Sequence, residues 1–174
     1  MDFDLSDDHE LIRRTVRDFA EGEVKPVAEE LDREKRFPYE IVAKLGELGL
    51  MGIPFPEEYG GAGGDSLAYA LAVEELTRVD SSVAITMCAH TSLGTQPIYL
   101  FGTEEQKREW LPDLTAGRKL GAFGLTEGGA MAVALLDGTL VRLEQIDMLP
   151  ERDVLAYFDA LRPVAVEELE FQGG

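Results

Sequence analysis

The sequence predicts a mainly α protein, an up-and-down helical bundle that ends in a short mixed α/β tail. Three observations lead there. Apolar residues recur at three- and four-residue spacing from Leu11 to Leu114. Capping residues, Gly and Pro stand between these runs. The periodicity changes only near Leu120, where a continuous apolar segment begins.

Ser6 is a suitable N-cap for the first helix, with Asp7, Asp8 and Glu10 at the positive end of its dipole. Leu11, Ile12, Val16, Phe19 and Ala20 form its apolar stripe, extended by Val27 and Leu31, and Pro26 is expected to bend or interrupt it. Arg13, Arg14, Arg17, Asp18 and Glu21 read as a solvated opposite face. A second helix starts near Pro38, carries Ile41, Val42, Leu45 and Leu48, and stops at Gly49.

The segment from Leu50 to Gly64 is dense in glycine and proline, which favours a long ordered loop. It lacks a Gly-Lys-Ser/Thr ending and a preceding strand, so a nucleotide loop is not indicated. Ser66 can cap a third helix through Leu67, Leu71, Val73, Leu76 and Val79. Asp80 or Ser81 can cap a fourth, from Val83 to about Phe101. That helix is apolar or small nearly all round, so it is expected to be buried, with Gly94 and Pro97 weakening its second half. Thr103-Glu-Glu-Gln106 is a capping box opening a fifth helix that ends by Gly117, and Leu120 to Thr126 reads as a buried strand.

After Glu127 the texture changes. Gly128-Gly129-Ala130 is linker-like, residues 139–146 alternate enough for a strand, and residues 150–161 are helix-like. The resulting division is a helical domain at 1–118, the start of a second domain at 119–127 and a tail at 128–174.

Bulk composition narrows the function. Hydrophobic residues make up 45% of the 174, enough for a buried core. Sixteen Lys and Arg against 34 Asp and Glu give a net charge of −18, which repels nucleic acid and anionic membranes. The lone Cys88 allows no internal disulfide, and His9 and His90 are too far apart in sequence to suggest a metal site. The acidic opening residues differ from a basic, apolar targeting peptide, and no run reaches the roughly 18 apolar residues of a membrane span. A cytoplasmic location is expected.

Four ordered stretches carry a family resemblance. Phe3-Asp-Leu-Ser6 precedes an amphipathic helix with Val24-Lys-Pro-Val-Ala28. Leu45-Gly-Glu-Leu-Gly-Leu-Met-Gly-Ile53 is followed by Pro56-Glu-Glu-Tyr-Gly-Gly61. Gly102-Thr-Glu-Glu-Gln-Lys107 comes with Trp110-Leu-Pro-Asp-Leu114, and Gly121-Ala-Phe-Gly-Leu-Thr-Glu127 closes the series. In order and spacing they resemble the N-terminal helical domain of acyl-CoA dehydrogenases and the first strand of the domain after it.

The resemblance implies an oxidoreductase that removes two hydrogens across the α,β bond of an acyl-CoA thioester. A carboxylate base takes the α-proton, flavin N5 of FAD accepts the β-hydrogen as hydride, and electrons leave to an electron-transferring flavoprotein. It places Phe123, Leu125 and Thr126 at the flavin's pyrimidine end, and the helix from Val83 to Leu93 along the acyl cavity. Thr86, Ala89, His90 and Leu93 are the substrate-lining candidates, since small residues on a helix face vacate space for an alkyl chain. His90 is assigned no chemistry.

The chain departs from the family after Glu127, where Gly128-Gly-Ala-Met-Ala-Val133 stands in place of a Pro and a Gly-Ser-Asp loop. The family's catalytic Glu has no counterpart here, so no catalytic residue is assigned, and much of the flavin cradle is missing. The tail's Leu149-Pro-Glu-Arg-Asp153 and the segment from Phe158 to Leu169 faintly resemble GXWXG-type domain proteins. Two functions follow: an acyl-CoA dehydrogenase in truncated or fused form, inactive alone, or a non-catalytic helical module. The second should expose an apolar patch, which predicts self-association or a partner.

Overall fold

The computed structural model describes residues 4–125, 131–135 and 140–142. Thr126 and the predicted helix at 150–161 lie outside the described residues, as does most of the strand predicted at 139–146.

Helix α1 (Asp7–Phe19) is capped by Ser6, whose Oγ accepts the His9 backbone N–H at 3.2 Å. The His9 ring lies 2.8 Å from that same Oγ and 3.1 Å from both Asp65 carboxylate oxygens. Asp65, rather than Ser66, caps the helix that follows it by accepting the Ala68 N–H at 2.8 Å. Both residue types cap well; the carboxylate prevails because it serves the helix end and the imidazole together.

Pro26 does not break the first helix. A π-helical turn (Ala20–Val24) carries α1 directly into α2 (Lys25–Glu34), with the proline in the opening turn of α2. The wider turn gives the ring room and absorbs the hydrogen bond a proline cannot make. The device recurs further on. There α5 (Ser81–Cys88) runs through a π-turn (Ala89–Thr95) into α6 (Gln96–Phe101), with Pro97 in that helix's opening turn.

Between them, α3 (Tyr39–Glu47) follows Pro38 and buries Ile41, Val42 and Leu45. Leu48, read as part of that stripe, stands past the helix end at 47% exposure. The Leu50–Gly64 loop is ordered by its own backbone: the Gly52 carbonyl accepts from Phe55 and Ala62, and the Ile53 carbonyl from Gly64. Phe55, Ile53 and Met51 are buried within it. A Cβ on Gly61 would lie 2.1 Å from the Phe55 carbonyl oxygen, so the loop closes only with glycine there.

Helix α4 (Ser66–Thr77) packs between α1 and α5. The main core is their shared interior, with Val16, Ala20, Val24, Leu45, Met51, Ala72, Leu76, Val83 and Met87 inside it. A smaller cluster of Tyr59, Ile98, Leu111 and Leu114 joins the loop to α6 and to α7 (Glu104–Thr115). The capping box of α7 is present in both directions, Thr103 to Gln106 and back, and the chain turns at Gly117 with φ 68°. Strands β1 (Gly121–Leu125), β2 (Met131–Leu135) and β3 (Leu140–Arg142) form an antiparallel sheet in that order. Thus β2, unread in the sequence, continues the sheet that β1 opens.

The expected solvated face of α1 is partly a clamp. Glu75 on α4 has a fully buried side chain. Its Oε1 accepts from Arg13 Nε at 3.1 Å and Arg17 Nη2 at 2.6 Å, and its Oε2 from Arg17 Nε at 2.9 Å and Arg78 Nη1 at 2.7 Å. The bidentate Arg17 is the main reason the carboxyl is held down to about pKa 2 against its own burial. Glu75→Gln keeps the shape and removes the charge. Its unfolding free energy in urea should fall by about 3 kcal/mol, the low end for breaking a buried pair because the arginines can rehydrate. A loss under about 1 kcal/mol would mean that the clamp gives no net stabilisation.

Candidate functional site

The long interrupted helix, α5 through α6, presents three different sides. One side buries Val83, Ala84 and Met87 in the main core. A second carries His90 and Gly94, which meet the start of β1. The third is open: Ile85 is 66%, Leu93 46% and Leu100 55% exposed, with Thr86 and Ala89 half-buried beside them. Full burial, expected from the apolar composition, therefore holds for two sides only. Ile85, Ala89, Leu93, Gln96 and Leu100 stand three or four residues apart along this side, with the half-buried Gln96 as its polar member.

Thr86, Ala89 and Leu93 thus lie along an accessible, uncharged helix face. The Thr86 hydroxyl donates to the Ser82 carbonyl at 2.9 Å, so its donor is satisfied within the helix. His90 lies elsewhere. It is 1% exposed; its Nε2 is 3.0 Å from the Leu114 carbonyl, and its Nδ1 accepts the Gly121 N–H at 3.0 Å. Accepting at Nδ1 leaves the proton on Nε2, which donates to Leu114. The Thr95 hydroxyl donates to the His90 carbonyl at 2.9 Å, closing the π-turn around the ring.

The second half of the site is the edge of β1. Its other edge pairs with β2 from Gly121↔Leu135 to Leu125↔Met131. The Gly121 N–H goes to His90, so it points away from β2. Backbone groups alternate along a strand, hence those of Phe123 and Leu125 point the same way, while Ala122 and Gly124 face β2. An edge that presents the N–H and C=O groups of every second residue suits a heterocycle with ring carbonyls and nitrogens. The residues present therefore fit the pyrimidine end of a flavin. Phe123 and Leu125 are brought together on this edge; Thr126 lies outside the described residues.

The sequence assigns Glu75 no role and marks Gly94 only as a weak point of its helix, not as a contact with β1. Glu75 was legible: Ala68, Leu71, Ala72, Glu75 and Leu76 follow the spacing of a buried helix face. Gly94 carried no such signal. Among the described residues no group of three or more His, Cys, Asp and Glu could hold a metal, and no helix is long and apolar enough to cross a membrane.

Residues 6–118 match the family described as acyl-CoA dehydrogenase, N-terminal domain. The short-chain specific acyl-CoA dehydrogenase of Clostridium acetobutylicum is 52% identical over 145 residues, covering 79% of this chain and 38% of the relative. A solved structure concerned with the electron transferring flavoprotein of Acidaminococcus fermentans holds a chain 48% identical, with a TM-score of 0.71. That match covers 75% of this chain and 34% of the other. A glutaryl-CoA dehydrogenase from Mycobacterium smegmatis in complex with FADH2 is 40% identical, with a TM-score of 0.67. It matches over 71% of this chain and 32% of its own. The chain spans between about a third and two fifths of the length of these proteins.

Burial holds the His90 imidazole down to about pKa 4, against the opposing pull of the Leu114 carbonyl. An unfolded imidazole titrates near 6.5 and takes up a proton that the folded one refuses. Stability is therefore complete above pH 6.5 and falls as pH drops from 6.5 towards 4, by roughly 3 kcal/mol in all. Glu75 is lost in a lower window, from 4.5 towards 2. Urea unfolding at pH 7.0 and 4.5 should show the His90 component, and His90→Asn should flatten it. An unchanged slope in that variant would assign the effect to another group.

Proposed function

The chain belongs to the acyl-CoA dehydrogenase family, and from that premise we propose that it forms the acyl-chain wall and the first flavin-contacting strand of an FAD-dependent dehydrogenase of acyl-CoA thioesters. The observation that carries this is the open uncharged stripe of Thr86, Ala89 and Leu93, on the same helix whose other side holds β1. An alkyl chain laid on that stripe meets mainly apolar groups, with Gln96 the amide further along the same side. Across the site, the backbone edge at Phe123 and Leu125, followed in the sequence by Thr126, would hold the pyrimidine end of FAD. When bound, the flavin supplies the hydride acceptor for the β-hydrogen. Residues 81–102 contain no Asp or Glu. Glu75, the buried carboxylate among the described residues, is occupied by arginines. The α-proton therefore needs a base from outside this helix.

On this reading residues 4–118 are the helical domain and the strands from Gly121 to Arg142 open the next one. The polypeptide by itself neither turns over substrate nor retains FAD, works in the cytoplasm as a part of the whole dehydrogenase site, and associates with itself through the apolar stripe. Short acyl chains and an electron-transferring flavoprotein are the proposed substrate and partner, following the names of the relatives. A purely non-catalytic helical module is the second reading, supported by the exposure of Ile85, Leu93 and Leu100.

Residues 4–125 grafted into the Clostridium relative in place of their counterpart provide the test. The chimera should purify with flavin's visible spectrum and oxidise butyryl-CoA. Leu93→Trp in the chimera should cut kcat/KM for hexanoyl-CoA at least about tenfold more than for butyryl-CoA. Equal effects on both chain lengths would remove Leu93 from the acyl wall. Turnover by the unmodified 174-residue chain with added FAD would overturn its proposed inactivity. A strictly monomeric chain that ignores hydrophobic dyes would count against self-association.

A further inference from the structure

We propose that His90 is a positioning residue: it pins the flavin-facing edge of β1 to the helix that lines the acyl cavity, and so sets which backbone groups that edge presents. The proposal rests on the functional reading above and concerns a residue that touches neither ligand.

The ring bridges the two ends of one connection. Leu114, whose carbonyl accepts from Nε2, is in the last turn of α7, and Gly121, whose N–H donates to Nδ1, opens β1. The chain between them is the crossing from the helical layer to the sheet. One imidazole thus ties both ends of the crossing to the π-turn of the lining helix. A buried hydrophobe of similar volume would fill the space without the cost of burying two ring nitrogens. It would also leave the Gly121 N–H without this acceptor, at a cost comparable to a lost buried hydrogen bond, while the Leu114 carbonyl keeps the Gly117 N–H.

A steric lock lies beside the hydrogen bonds. A Cβ on Gly94 would come within 2.5 Å of the Gly121 carbonyl carbon, and one on Gly121 within 2.9 Å of Gly94 Cα. Helix backbone and strand backbone therefore touch directly, one turn beyond His90. The π-turn spans both residues, so its extra residue per turn shapes this contact. Strand groups alternate with period two. Pinning Gly121 outward places Phe123 and Leu125 on the same edge, and a slip of one residue would present Ala122 and Gly124 instead.

Amide hydrogen exchange on the 174-residue chain tests the pin without any flavin, so it stands or falls separately from cofactor binding. His90→Phe keeps bulk and removes the ring's bonds to Gly121 and Leu114, together with its 3.3 Å contact to the Thr95 hydroxyl. Exchange of the Gly121 N–H should speed up at least about fivefold, while Ala72 and Leu76 in α4 change by less than about twofold. His90→Asn, whose Oδ1 can accept near the Nδ1 position, should restore the Gly121 protection. A uniform rise across β1 and α4 would make His90 a general packing residue and overturn the proposal. Failure of Asn to rescue would overturn the hydrogen-bond pin in favour of volume alone. If His90→Phe does not fold, Gly94→Ala strains the same joint and should give the same local rise; none in that variant would also overturn it. In the chimera, His90→Phe should displace the bound flavin's visible bands and His90→Asn should return them. Unshifted bands would show that the pin does not reach the flavin edge.

Discussion

The helix from Ser81 to Phe101 has no Asp, Glu, Lys or Arg, and the rest of the structure is arranged around covering it. The main core takes one side and the glycine contact with β1 takes the second. The third remains open, and its apolar side chains are the physical basis of the proposed acyl site. Because the covered sides require close approach of a helix and a strand, the small residues Gly94 and Gly121 are as necessary as the large ones in the core.

Two prolines of this helical layer are accommodated by widening the backbone ahead of them, whereas Pro112 sits inside α7 without a π-turn. Pro26 and Pro97 each follow a π-turn, and in both cases the helix continues. The second π-turn does more, because it carries His90, Gly94 and Thr95 around the point where β1 docks. Local relief of a proline and placement of the next domain's first strand thus share one stretch of chain.

Charge acts locally in a chain of net charge −18. Glu75 is compatible with burial only because Arg13, Arg17 and Arg78 converge on it from two helices. That clamp holds α1 on α4, while His9 joins the caps of the same two helices at their starts. The pair is therefore tied at its starts and again towards its far ends, and α4 supports the lining helix packed on it.

Caps, helix order and the glycine-rich loop were legible in the sequence because they depend on neighbours three or four residues away. The Thr103–Gln106 box and the turn at Gly117 are such features. The family motifs were legible for the same reason. Which of two adjacent caps prevails at Asp65 and Ser66 depends on His9, 56 residues away. Whether Arg13 and Arg17 are solvated depends on Glu75, and the partner of His90 is Gly121, 31 residues on. Strand β2 escaped notice because its short apolar run gains meaning only beside β1. The sequence by itself determined the helical class and the composition of the acyl-facing helix, since both are set by local spacing and side-chain chemistry. Only the tertiary structure decided which side of that helix stays open and that His90 faces the strand, because both follow from what the remote elements cover.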